Sequence, residues 1–84
     1  MSDNYSSESF DFPSVEAMID YLREECWEDA NIMKLLHNNR LEEAECDHEE
    51  DGYMRYQYVY TWGLQKWEQS PNDCWFNVQT WWEG

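Results

Sequence analysis

Along "SVEAMIDYLREECWEDA", residues 14–30, Val15, Met18, Ile19, Leu22 and Cys26 recur at helical spacing and define one apolar face. Ser14, directly after Pro13, supplies an N-cap, and Glu16 lies near the positive end of the helix dipole. In "NIMKLLHNN", Ile32, Leu35 and Leu36 fall off that first stripe. This predicts a break near residues 28–31 and a short second helix, stopped by Asn38 and Asn39. The period then changes. "YMRYQYVYTW" alternates, with Met54, Tyr56, Tyr58, Tyr60 and Trp62 on one side and Arg55, Gln57 and Thr61 on the other, the period of a half-buried strand. Gly63 predicts a bulge or bend. "SPND" at residues 70–73 predicts a turn with Pro71 well placed, after which "CWFNVQTWW" alternates again and forms a second hairpin.

The strand ahead of the tyrosines is less obvious. In "LEEAECDHEEDG", residues 41–52, a turn at Asp51 and Gly52 makes residues 41–49 the entering strand. Ala44, Cys46 and His48 then face one way, and Glu43, Glu45, Asp47 and Glu49 the other. Acids are poor strand formers, so an acidic loop is the competing reading. The expectation is an α+β domain: one N-terminal helix plus a short second helix packed on one side of a three-stranded antiparallel sheet. Residues 1–9 read as a flexible polar tail, turning extended at Phe10 and Phe12, and residues 10–84 as a single small domain.

Charge changes the picture more than length does. The 84 residues carry 19 Asp and Glu against 5 Lys and Arg, a formal charge of −14. Such a field disfavours direct binding to nucleic acid or to an anionic membrane, so any charged partner should be basic. Acidity alone suits a disordered chain, but 6 Trp, 6 Tyr and 3 Phe do not. The start "MSDNYSSESF" lacks a basic region followed by an apolar one, and no apolar run reaches membrane length, which predicts a cytoplasmic protein. Cys26, Cys46 and Cys74 are odd in number and irregularly spaced, so reduced, packing thiols are expected.

Catalytic and metal chemistry find little support. Cys26, His37, Cys46, His48 and Cys74 include no paired ligands at zinc spacing. "DHEEDG" lacks the ligand alternation of a calcium loop. Neither histidine sits in a nucleophile signature, and phosphate-cradling loops are absent. Among so many carboxylates any pair is coincidental, and a chain this short leaves little room for a substrate cleft. No enzyme, cofactor or metal is expected.

Glu16, Asp20, Glu24 and Glu28 follow one another at four-residue intervals and so lie in one row along the helix, with Glu25 and Asp29 beside it. Each like-charged pair costs roughly 0.2–0.5 kcal/mol. The row rises about 6 Å per step, close to the spacing of phosphates along a nucleic-acid strand. Trp75 and Trp81 alternate with Phe76 and Val78 and so point away from them. They are exposed anchors for an arginine-rich surface, or are buried under the N-terminal tail or a chain end. In size, acidity and helix-plus-sheet pattern, seen in "SVEAMIDYLREECWEDA" and "LEEAECDHEEDG", the chain resembles small phage-encoded nucleic-acid mimics. These include anti-CRISPR and anti-restriction proteins and inhibitors of uracil-DNA glycosylase. The resemblance implies an inhibitor that occupies the basic DNA- or RNA-binding site of a host defence complex. The expected binding set is Glu16, Asp20, Glu24, Glu28, Asp29, Glu43, Glu45, Asp47, Glu49, Trp75 and Trp81. An immunity or antitoxin protein neutralising a basic nuclease, and an acidic protein–protein adaptor, are the alternatives.

Overall fold

A computed structural model of the protein describes residues 4–49, 52–65, 68–69 and 72–83, with side chains for 4–45, 55–65, 68–69 and 72–82. The elements run β1 (Asn4–Phe12), α1 (Val15–Glu24), α2 (Asp29–Asn38), β2 (Arg40–Glu49), β3 (Gly52–Leu64) and β4 (Cys74–Glu83). The two helices and the α+β class match the expectation, but the sheet has four strands, not three, in the order β1-β4-β3-β2. All neighbours are antiparallel.

The extra strand comes from the segment expected to be a tail. Residues 4–9 belong to β1, which pairs with β4 from Asn4↔Trp82 to Phe12↔Cys74. Serines and Glu8 alternate with more serines there, so no apolar period marks a strand. The free edge of β4 decides instead. The Asn77 side-chain amide donates to Ser9 Oγ at 2.9 Å and to the Glu8 carbonyl at 3.1 Å. Phe10 and Phe12 then reach Tyr21 of α1, with ring centroids 5.5 and 5.3 Å away.

Both helix ends follow from local chemistry. Ser14 Oγ accepts from the Ala17 N–H at 3.1 Å, the cap expected at α1. At the other end the Trp27 N–H donates to the Leu22 carbonyl and the Cys26 N–H to the Arg23 carbonyl, each at 3.0 Å. Cys26 has φ 65°, so the helix closes as a Schellman motif with cysteine where glycine is usual. The break therefore spans residues 25–28, slightly earlier than 28–31. Asn39, with φ 61°, ends α2 in the same left-handed conformation.

Met18, Leu22, Ile32, Leu35, Cys74 and Phe76 form the buried core. Phe10, Phe12, Tyr60, Trp62 and Val78 pack around it, so the helices cover only the end of the sheet that holds these residues. Trp62 Nε1 donates to the Leu35 carbonyl at 2.8 Å and fixes α2 on β3. Gly63 makes neither a bulge nor a bend with positive φ. It pairs in register with Trp75, whose indole lies where a Cβ would sit, at 2.8 Å. The expected turn at Asp51–Gly52 is only partly visible: Gly52 opens β3 opposite Glu49, and Asp51 lies outside the described residues, as does Pro71.

Two outcomes check this architecture. Cys26→Gly should stabilise the domain by about 1 kcal/mol in urea unfolding, because it relieves a left-handed non-glycine residue; no gain would mean that the turn carries no strain. Removing residues 1–9 should cost more than about 2 kcal/mol. A tail would leave the urea midpoint unchanged.

Candidate functional site

The Schellman turn does more than end α1. It swings Trp27 back over the sheet, where its ring meets Tyr60 edge-on at 4.6 Å and Phe76 at 6.0 Å. Glu25 and Glu28, at the junction before and after that residue, line the same cleft as its ring. From the sheet, β2 brings Glu43 opposite Tyr58 and Glu45 opposite Tyr56, on the face that carries the helices. The result is a cleft of about 380 Å³ lined by Glu25, Glu28, Glu43, Glu45, Trp27 and Tyr60. Glu25 and Glu28 from the helix junction and Glu43 and Glu45 from the edge strand thus line one cleft with two aromatic residues.

The cleft opens onto a row of tyrosines. Tyr56, Tyr58 and Tyr60 stack along β3 with centroids 6.3 and 6.2 Å apart, and Tyr60 continues the stack to Phe76 at 6.1 Å. Tyr60 is thus at once the wall of the cleft and the rim of the core. Burial, then the negative field of Glu43, and lesser effects of Tyr58 and Glu45, push its hydroxyl up to about 12. Asn31 Nδ2 donates to Glu43 Oε1 at 3.2 Å and holds that carboxylate in place. Glu28 makes no side-chain cap to α2, so its carboxylate is not spent on the helix end.

The expected binding residues fall into three groups. Glu16, Asp20 and Glu24 do form an exposed row on α1, but the row ends there. Glu28 lies beyond the helix, in the junction, and joins Glu43 and Glu45 in the cleft. Asp29 is drawn toward Arg23, 3.4 Å away. Asp47 and Glu49 pair in register with Met54 and Gly52, and their side chains lie outside those described. Trp75 and Trp81 are each 36% exposed, on the opposite face of the sheet. Glu28 thus lines the cleft with the β2 acids, while Glu16, Asp20 and Glu24 stay on α1 and the tryptophans lie on the opposite face of the sheet. Trp27, Glu25 and Asn31 were missed as site residues. Trp27 falls outside the apolar stripe of α1, and only a helix stop at Cys26 would have pointed to it.

No protein-family model matches the chain, and neither a curated protein nor a solved structure matches it. Carboxylates around an aromatic wall favour a guanidinium or ammonium group, through charge pairing and contact with ring faces. Among the described residues, no group of three or more His, Cys, Asp or Glu is placed to hold a metal ion. Cys74 is buried and its thiol is pushed up by that burial, then by Asp73 and Asp11, which makes it unreactive packing. Among the described residues no helix is long and apolar enough to cross a membrane.

The field in the cleft is measurable through Tyr60. In a Glu43→Gln, Glu45→Gln variant the Tyr60 ring signal in carbon NMR should titrate at lower pH than in the parent; an unchanged titration would place those carboxylates too far away to act on it. The sign for stability follows from the raised value. The neutral phenol is favoured in the folded state, so its contribution is complete below the usual 10.0 and is lost as pH rises through about 12.

Proposed function

We propose that the protein is an acidic inhibitor that mimics nucleic acid and occupies the basic DNA- or RNA-binding site of a host defence complex, of anti-CRISPR or anti-restriction type. It acts in the cytoplasm, without catalysis or cofactor, by excluding nucleic acid sterically and electrostatically. The observation that supports this reading is that Glu25, Glu28, Glu43 and Glu45 line one cleft together with Trp27 and Tyr60. A surface serving solubility alone has no need to gather carboxylates from separate elements into a concavity. Each added carboxylate there raises the repulsion that folding must overcome. A basic partner relieves that repulsion on binding, and the exposed row Glu16, Asp20 and Glu24 extends the negative field away from the cleft at phosphate-like steps of about 6 Å.

The reading makes salt act in opposite directions on the free and bound protein. Added salt should raise the thermal midpoint of the free domain and weaken its complex with the target. The direct test captures a defence complex on the immobilised domain and challenges it with duplex DNA. Displacement of the domain supports mimicry, and simultaneous binding of both contradicts it. Glu28→Lys combined with Glu43→Lys should weaken capture by at least about tenfold, the equivalent of roughly 1.4 kcal/mol.

A further inference from the structure

The face of the sheet turned away from the helices carries a different chemistry. Its side chains form rows across the strands: Tyr5, Trp81, Gln57 and Ala44; then Ser7, Gln79, Val59 and Glu42; then Ser9, Asn77, Thr61 and Arg40; then Asp11, Trp75 and Gly63. In a chain of net charge −14 this face is almost neutral. Arg40 bonds Glu42 at 2.7 Å, and Arg55 lies in register with Glu83 just beyond. Tyr5 is 52% exposed and packs on Trp81 with centroids 5.2 Å apart, and Trp75 marks the other end.

We propose that this face joins two copies of the chain, sheet on sheet, about a two-fold axis that crosses β4 between Asn77 and Gln79. The rows fit such an axis in three ways. Rotation sets Trp75 of one copy against Tyr5 and Trp81 of the other. It sets Arg40 against Glu42 of the second copy, twice by symmetry, and Asn77 against Gln79. An interface that uses the same patch on both copies has to be self-complementary in this sense. Like charge leaves few other faces able to meet, whereas here the acids of the cleft and of α1 stay on the outer surfaces. Nine residues each of β1, β4 and β3 and the first six of β2, in strands about 4.8 Å apart at about 3.3 Å per residue, present roughly 500 Å² per copy. Two such faces bury on the order of 1,000 Å², below the standard size of stable interfaces and in the range of weak, transient ones. The dimer should therefore be of modest affinity, and it displays two acidic clefts facing outward.

This inference does not rest on the inhibitor reading, since the cleft lies on the other side of the sheet. Sedimentation equilibrium of the full chain tests it. The expected result is a dimer whose dissociation constant falls at least about tenfold as salt rises from roughly 0.05 to 0.5 M, because screening removes repulsion between the copies. Trp81→Ala should raise the constant at least about tenfold. Arg40→Glu should do the same, and Arg40→Glu with Glu42→Arg should restore association, because the swap rebuilds both contacts. Lys34→Glu, an equal change of charge on exposed α2, should leave the constant within about twofold. A monomer at about 100 µM in high salt overturns the proposal, as does a dimer that Trp81→Ala and Arg40→Glu leave intact.

Discussion

Trp27 ties the helix pair of this acidic chain to its sheet. Its ring lies edge-on against Tyr60 and near Phe76, so the α1–α2 junction is fastened to the central strands β3 and β4 by aromatic contact. The ion pairs Arg23–Asp29 and Arg40–Glu42, both among the described residues, are exposed and contribute little. Cohesion therefore comes from the small core beneath the helices. The strained cysteine at the turn before Trp27 is the local cost of bringing that ring back over β3.

Fixing the junction there also fixes where the charge goes. Glu25 and Glu28 come from the junction that carries the ring, and the edge strand supplies Glu43 and Glu45 to the same cleft. The helices cover one end of one face, so the stacked tyrosines continue past them under this negative rim. Acids along β2 also protect that edge from pairing with other strands. The opposite face keeps its serines, amides and tryptophans nearly free of net charge. One sheet thus separates an electrostatic surface from an aromatic one, and the two proposed interactions use opposite sides of it.

Much of this was legible wherever a period or a cap left a mark. Ser14, the apolar stripe of α1, the alternation of the tyrosines and the outward aim of Trp75 and Trp81 follow from local spacing. The acidic segment from Leu41 was recognisable as an edge strand because Ala44 alternates with Glu43 and Glu45. What local pattern could not reveal was decided by tertiary partners. Strand β1 has polar side chains on both faces and exists because β4 offers it an edge and Asn77 a donor. Gly63 looked like a bend but makes room for the Trp75 indole across the ladder. The cleft depends on where α1 stops, and a positive φ at a cysteine has no signature in composition.

The central claim is that negative potential is concentrated on the helix-bearing side and nearly absent from the other. Paramagnetic relaxation by a cationic and a neutral nitroxide, compared amide by amide in solution, measures the local potential directly. The account predicts strong enrichment of the cationic probe around Glu25 to Glu28 and Glu43 to Glu45, and little over Ser7, Asn77 and Gln79. Equal enrichment on both faces would contradict it.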